Sequence, residues 1–65
     1  MKTVNIIMTE YELLACRNAL NNVLHAIEMN DREFDARIGV SKEMAEATLD
    51  RLLEIDRKEF PVEQE

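Results

Sequence analysis

The sequence predicts an all-α protein, a small three-helix domain in the order long, short, long, preceded by a short extended strand. Three observations predict this fold. Apolar residues recur at helical spacing in two long segments, a capping residue precedes each predicted helix, and the lone glycine and lone proline stand where helices would end. We expect one domain over residues 1–65, with an arm at 2–8, helices at 9–28, 32–38 and 42–58, and a frayed tail at 60–65.

Composition and charge exclude several classes of function. The chain has 65 residues and a net charge of −6, which disfavours a protein that neutralises phosphates. Aromatic residues make up 5%, too few for a surface that stacks nucleic-acid bases. The single cysteine excludes an internal disulfide and a cysteine-rich zinc site, and no segment resembles a signal peptide or a membrane span. We therefore expect a cytoplasmic protein with no membrane partner.

The first residues predict one short strand. Residues 2–8 are rich in β-branched side chains and alternate, with Val4, Ile6 and Met8 on one side. No second strand candidate follows, so the ladder groups of this arm have no partner within the chain. Two arrangements remain open: the arm pairs with its copy in another subunit, or it lies extended over the helices.

The first predicted helix begins with a capping box formed by Thr9 and Glu12. Helical spacing places six side chains on a face that we expect to be buried, including an inert thiol: Leu13, Cys16, Leu20, Val23, Leu24 and Ile27. Another helix can approach closely along one margin of that face, which carries the small residues Ala15, Ala19 and Ala26.

The opposite face of this helix is polar but almost uncharged. It carries Tyr11, Leu14, Asn18, Asn21, Asn22 and His25. Helix faces that meet water usually carry charge. We therefore treat this face as a candidate contact surface, beside the alternative that its residues are ordinary exposed side chains.

The second and third predicted helices are short and long. Asp31 is placed to cap the second, which carries Phe34 and Ile38 on one side and ends at Gly39. Ser41 caps the third. The expected buried stripe of the third helix is Met44, Ala45, Thr48, Leu49, Leu52, Leu53 and Ile55. Its exposed acidic face carries Glu43, Glu46, Asp50 and Glu54.

No residue pattern predicts catalysis. His25 is the only histidine and is expected on the face of its helix opposite Cys16, so a nucleophile and its base would not meet. Gly39 is the only glycine, so no glycine-rich phosphate loop is present. One His and one Cys are too few for a transition-metal site within one chain. We expect no enzyme activity, no catalytic residue, no cofactor and no metal.

One segment resembles the helix-turn-helix of bacterial regulators. Between Arg32 and Leu53, an apolar-rich helix is followed by a turn glycine, an apolar residue and a capped helix, through Phe34, Ile38, Gly39, Val40 and Ser41. The resemblance implies DNA binding by the third helix. The segment departs from the family at Asp35 and Thr48, and the recognition surface would carry carboxylates that repel phosphates: Lys42, Glu43, Glu46, Ala47 and Asp50. An ordinary pair of capped helices explains the same pattern.

So short a chain without disulfides has a thin core, which favours self-association. Our leading hypothesis is a non-enzymatic interaction module, acting as a homo-oligomer (dimer) or as an accessory subunit of a larger protein. The expected contact residues are Val4, Ile6, Met8, Tyr11, Leu14, Asn18, Asn22 and His25. One alternative is a helix-turn-helix regulator. Another is an acidic inhibitor that occupies the basic groove of a nucleic-acid-binding protein through Glu43, Glu46, Asp50 and Glu54.

Overall fold

The computed structural model describes residues 1–61, and these form three helices and no strand. The helices are α1 (Glu10–His25), α2 (Asp31–Ile38) and α3 (Lys42–Glu59). The prediction of an all-α domain with long, short and long helices is confirmed. Of the predicted frayed tail, residues 60 and 61 follow α3, and residues 62–65 lie outside the described part of the chain.

The predicted capping box forms at the start of α1. The hydroxyl of Thr9 accepts a hydrogen bond from the backbone N–H of Glu12 at 3.1 Å, and the Glu12 carboxylate accepts one from the Thr9 N–H at 2.9 Å. The backbone bond and a side-chain bond from Thr9 hold the pKa of Glu12 below its ordinary value. Two amides at the helix start are satisfied in this way.

α1 ends at His25, not at residue 28 as predicted. The backbone amides of Ala26 and Ile27 both donate to the carbonyl of Asn22, at 2.9 and 3.1 Å. The Ile27 bond reaches back five residues instead of four, which ends the regular ladder. The chain then has to become extended before Asn30, which caps the next helix.

The cap of α2 is Asn30, so the prediction of Asp31 was wrong by one residue. The Asn30 side-chain oxygen accepts a hydrogen bond from the Glu33 amide at 2.8 Å, while Asp31 occupies the first turn. Both residue types cap helices well. Asn30 has the extended backbone that a cap requires, with φ −74° and ψ 170°.

A short turn joins α2 to α3. Gly39 has φ +91°, in the left-handed region, and its N–H donates to the Asp35 carbonyl at 2.9 Å. The Ser41 hydroxyl then accepts from the Met44 amide at 3.2 Å and caps α3 as predicted. Glycine is favoured at such a position because a Cβ makes the left-handed conformation costly.

The helices pack in an open arrangement. α1 lies along α3, whereas the backbone of α2, within the described residues, comes close to that of α3 and not to that of α1. The molecule is flat, measuring 44 × 30 × 16 Å. Its Cα radius of gyration is 13.6 Å, against about 11 Å expected for a compact domain of this length. Among the described residues, the buried side chains are Leu13, Phe34, Ala45 and Leu49, and of these Phe34 is fully buried.

The predicted buried faces are therefore only partly buried. The prediction that Cys16 is a core residue was wrong, since it is exposed. Two helices in contact cover only a narrow strip of each other. Residues at the edges of the predicted apolar faces of α1 and α3 are therefore left uncovered. Residues predicted to be buried but found exposed are Cys16, Ile27, Met44, Thr48, Leu53 and Ile55, and Ile38 of α2 is exposed as well.

The predicted strand at residues 2–8 is absent from the described structure, where this arm forms neither helix nor strand. Residues 9–61 provide no second strand to hydrogen-bond with it. Pairing of the arm between subunits stays a prediction.

Replacing Gly39 by alanine tests the left-handed turn. We expect Gly39→Ala to lower the free energy of unfolding by about 1–2 kcal/mol, because an L side chain strains this conformation. Steric crowding is not the cause, since an added Cβ meets no atom within 4 Å. Gly39→Asn is the control and should cost less, since asparagine tolerates the left-handed region. Urea unfolding measures both, and equal losses would contradict this account.

The capping box predicts a pH dependence. The folded-state pKa of Glu12 is lowered, so the box stabilises α1 above the unfolded-state pKa, and this contribution is lost as pH falls through the folded value. An NMR titration of the Glu12 carboxyl should give a midpoint below the ordinary 4.5. In Thr9→Ala the midpoint should move back towards that value. An unchanged midpoint in Thr9→Ala would show that another group sets it.

Candidate interaction surface

A first apolar groove runs between α1 and α3 on one side of their contact. It has a volume of about 400 Å³. No charged side chain lines it, and its members come from all three helices: Cys16, Ala19, Leu20, Val23, Ile38, Thr48 and Leu52. A groove of this composition favours apolar ligands, because water gains little by contact with its walls.

A second apolar groove continues the first at the amino-terminal end of α1. Its volume is about 450 Å³, and the arm forms one wall of it. Its members are Val4, Ile6, Ile7, Met8, Leu13, Leu52, Ile55, Glu59 and Phe60. Leu52 lines both grooves. We refer to the two grooves together as the open face.

The arm contributes apolar side chains that the rest of the chain does not cover. Val4 is 77% exposed, Ile6 71% and Ile7 99%, and Ile55 beside them is 43% exposed. Soluble monomers rarely expose contiguous apolar patches beyond a few hundred Å², and larger patches usually mark interaction sites. The open face gathers the exposed apolar side chains of the arm with those of the two grooves.

The other side of the α1–α3 contact is polar. A groove there is lined by Arg17, Asn18, Asn21, Leu49 and Leu53. The Arg17 guanidinium donates to the Asp56 carboxylate at 2.7 Å, and both side chains are about three-quarters buried, with 26% and 25% exposed. This ion pair links α1 to α3 on the polar side. The described residues that line the open face form no ion pair of this kind between the two helices.

The structure divides the contact residues predicted from the sequence between separate surfaces. Val4, Ile6 and Met8 line the second groove of the open face. Asn18 lies in the polar groove, and His25 lines a cleft with Glu28, Glu33 and Lys42. The remaining three, Tyr11, Leu14 and Asn22, are exposed and line none of these grooves.

Seven α1 and α3 residues of the open face were predicted as core, not as contact surface: Leu13, Cys16, Leu20, Val23, Thr48, Leu52 and Ile55. Their spacing gave no sign of exposure, because a core stripe and a docking stripe have the same helical period. The signal that the sequence did contain was the margin of small residues, since Ala19 lines the first groove.

The acidic residues gather at the start of α3. Asp31 and Asp35 of α2 line one cleft together with Glu43 and Glu46. The one cation of that cleft, Lys42, donates to the Met29 carbonyl at 2.6 Å and lies 3.6 Å from the Asp31 carboxylate. The other predicted acidic residues, Asp50 and Glu54, are exposed but do not line the cleft.

The single cysteine and the single histidine lie on different surfaces. Cys16 lines the apolar groove and His25 a different cleft, so they do not form a nucleophile and base pair. Residues 1–61 hold no group of three or more His, Cys, Asp or Glu side chains arranged for a metal ion. Over the same residues, no helix has the length and apolar character needed to cross a membrane.

No protein-family model, curated protein or solved structure matches this chain.

The Arg17–Asp56 pair predicts measurable coupling between α1 and α3. A double-mutant cycle with Arg17→Met and Asp56→Asn should give about 1 kcal/mol, since the pair is mostly shielded from water. The exposed pair Glu33–Arg37, at 3.5 Å on α2, serves as the control and should give less than about 0.5 kcal/mol. Urea unfolding measures both cycles. Equal coupling energies would contradict a special role for the interhelical pair.

Proposed function

We propose that this protein is a non-enzymatic interaction module that buries its open face against another polypeptide, as a homo-oligomer or as an accessory subunit. One observation carries the proposal. Among the described residues, four side chains are buried, whereas two adjoining apolar grooves stand open to water. The described chain buries few apolar side chains, and other apolar side chains lie in grooves that a partner could cover.

The energetics favour completion by a partner. A domain of this length has a stability of only a few kcal/mol, of order 0.1 kcal/mol per residue. Burying one Leu, Ile or Val side chain contributes about 1.5–3 kcal/mol. Val23 and Leu52 are half-buried and Ile55 is 43% exposed, so covering what remains of all three would add at most about 2–3 kcal/mol, a substantial fraction of that stability.

A second candidate function uses the acidic cleft. Four carboxylates from two helices meet there, and the lysine among them is already bonded within the chain. Such a cleft favours a basic partner, as an inhibitor of a nucleic-acid-binding protein would. Two of these carboxylates, Glu43 and Glu46, lie in the first turns of α3, where a helix-turn-helix would approach phosphates, so they favour this candidate over DNA binding.

We propose the cytoplasm as the compartment. Cys16 is an exposed free thiol, and such thiols persist in reducing compartments. Cell fractionation of the tagged chain tests this assignment.

Alkylation of Cys16 in the cells of origin tests the main function without knowledge of the partner. Cys16 lines the first groove, so a bound polypeptide should slow its reaction with a maleimide by about tenfold or more relative to the dilute purified chain. The control variant carries Cys16→Ser with Asn18→Cys, which moves the thiol to the polar groove, and should react equally fast in both settings. Equal rates for Cys16 in cells and in dilute solution would overturn the proposal.

A further inference from the structure

We infer that the occupant of the open face is a second copy of this chain, seated with α1 antiparallel to its counterpart and crossing it at Ala19. The inference rests on the proposed function and names the partner. Three independent observations support it: the size of the exposed surface, the distribution of charge, and the shape of α1 on this side.

The exposed surface is large enough for a dimer. The chain exposes 6039 Å², whereas a compact monomer of this mass exposes about 4,300 Å². The excess counts polar and apolar surface alike, and the extended arm, with Ile7 at 99% exposure, contributes to it. A standard interface takes about 800 Å² from each partner, which is roughly half of the excess. Obligate homodimers bury more and have apolar interfaces, as the open face would provide.

The charge distribution permits two acidic chains to meet. Each copy carries a net charge of −6, so self-association requires a surface where like charges are kept apart. Between Leu13 and Leu24 the only charged residue is Arg17, and it is engaged by Asp56 on the polar side. A partner of opposite charge would find no charge to pair with in the first groove. An identical apolar groove could pack against it without leaving a charged side chain buried and unpaired.

The side chains of α1 fix the crossing point. Cys16, Ala19 and Val23 line the first groove and recur at helical spacing. Ala19 is the smallest of them, is exposed, and stands in the middle. Two helices approach closely where small residues meet, so the two-fold axis passes at Ala19. Val23 of each copy then packs beside Cys16 of the other.

The antiparallel direction follows from the acidic residues at one end. Glu12 lies one turn before Cys16 on α1, and Glu59 lines the second groove. A parallel pair would bring both carboxylates of each copy together at the same end. An antiparallel pair places them at opposite ends of the interface, which removes that repulsion.

Solution mass tests the identity of the occupant. At about 100 µM, a concentration that populates any dimer with a micromolar Kd, light scattering should give twice 7.6 kDa. Ala19→Lys should weaken association by about 100-fold or more, because it buries two unpaired charges at the axis. Asn18→Lys, on the polar side, should leave the dimer intact. Alanine and lysine both favour helix, and circular dichroism at equal concentration checks the fold of each variant.

Cysteine cross-linking tests the direction and the crossing point. In the antiparallel pair the two Cys16 residues are about 9 Å apart along the helix axis, so mild oxidation should leave the wild-type chain uncross-linked. A variant with Cys16→Ser and Ala19→Cys should form a disulfide-linked dimer, and one with Cys16→Ser and Asn18→Cys should not. A ready Cys16 disulfide would indicate parallel helices and overturn the arrangement.

The outcomes separate this inference from the proposed function. A monomer at 100 µM whose Cys16 is nevertheless protected in cells overturns the second copy and leaves the interaction module standing with a foreign partner. A monomer whose Cys16 is unprotected in cells overturns both. A dimer broken by Asn18→Lys and not by Ala19→Lys places the interface on the wrong side of α1 and also overturns the inference.

Discussion

The arrangement of this protein depends on one contact, that of α1 with α3. Within the described residues, the backbone of α2 comes close to that of α3 and not to that of α1, so α3 is the main neighbour of α1. A helix with one neighbour buries a strip no wider than that contact. Leu13 lies in the strip and is buried, whereas Cys16, less than one turn away, is exposed. The open face therefore follows from the number of helices and not from any defect in their local structure.

Local features were predictable from the sequence because their causes lie within a few residues. The capping box at Thr9 needs only Glu12 three residues later, and the turn at Gly39 needs only a residue without a Cβ. The cap of α2 was misplaced from Asn30 to Asp31 because two good capping residues stand side by side. Nothing in their chemistry alone distinguishes them.

Burial was less predictable because it depends on which helices cover which faces. The apolar stripes of α1 and α3 were located, and Ala45 and Leu49 are buried as expected. The width of the buried strip, however, is set by the position of α2, for which helical periodicity contains no information. The open face was missed for this reason, although its arm residues were assigned to contact on the ground that the predicted strand had no partner.

The distribution of charge separates the candidate surfaces. The first groove has no charged lining residue, whereas the acidic cleft is lined by residues of α2 and the first turns of α3. The acidic side chains of the cleft thus lie away from the apolar side. Although the chain has a net charge of −6, an identical chain that approached the first groove would meet no carboxylate of its lining. Since the two surfaces share no lining residue, occupation of the open face would leave the cleft accessible. The lining residues alone therefore give no reason for a basic partner in the cleft to compete with an occupant of the open face.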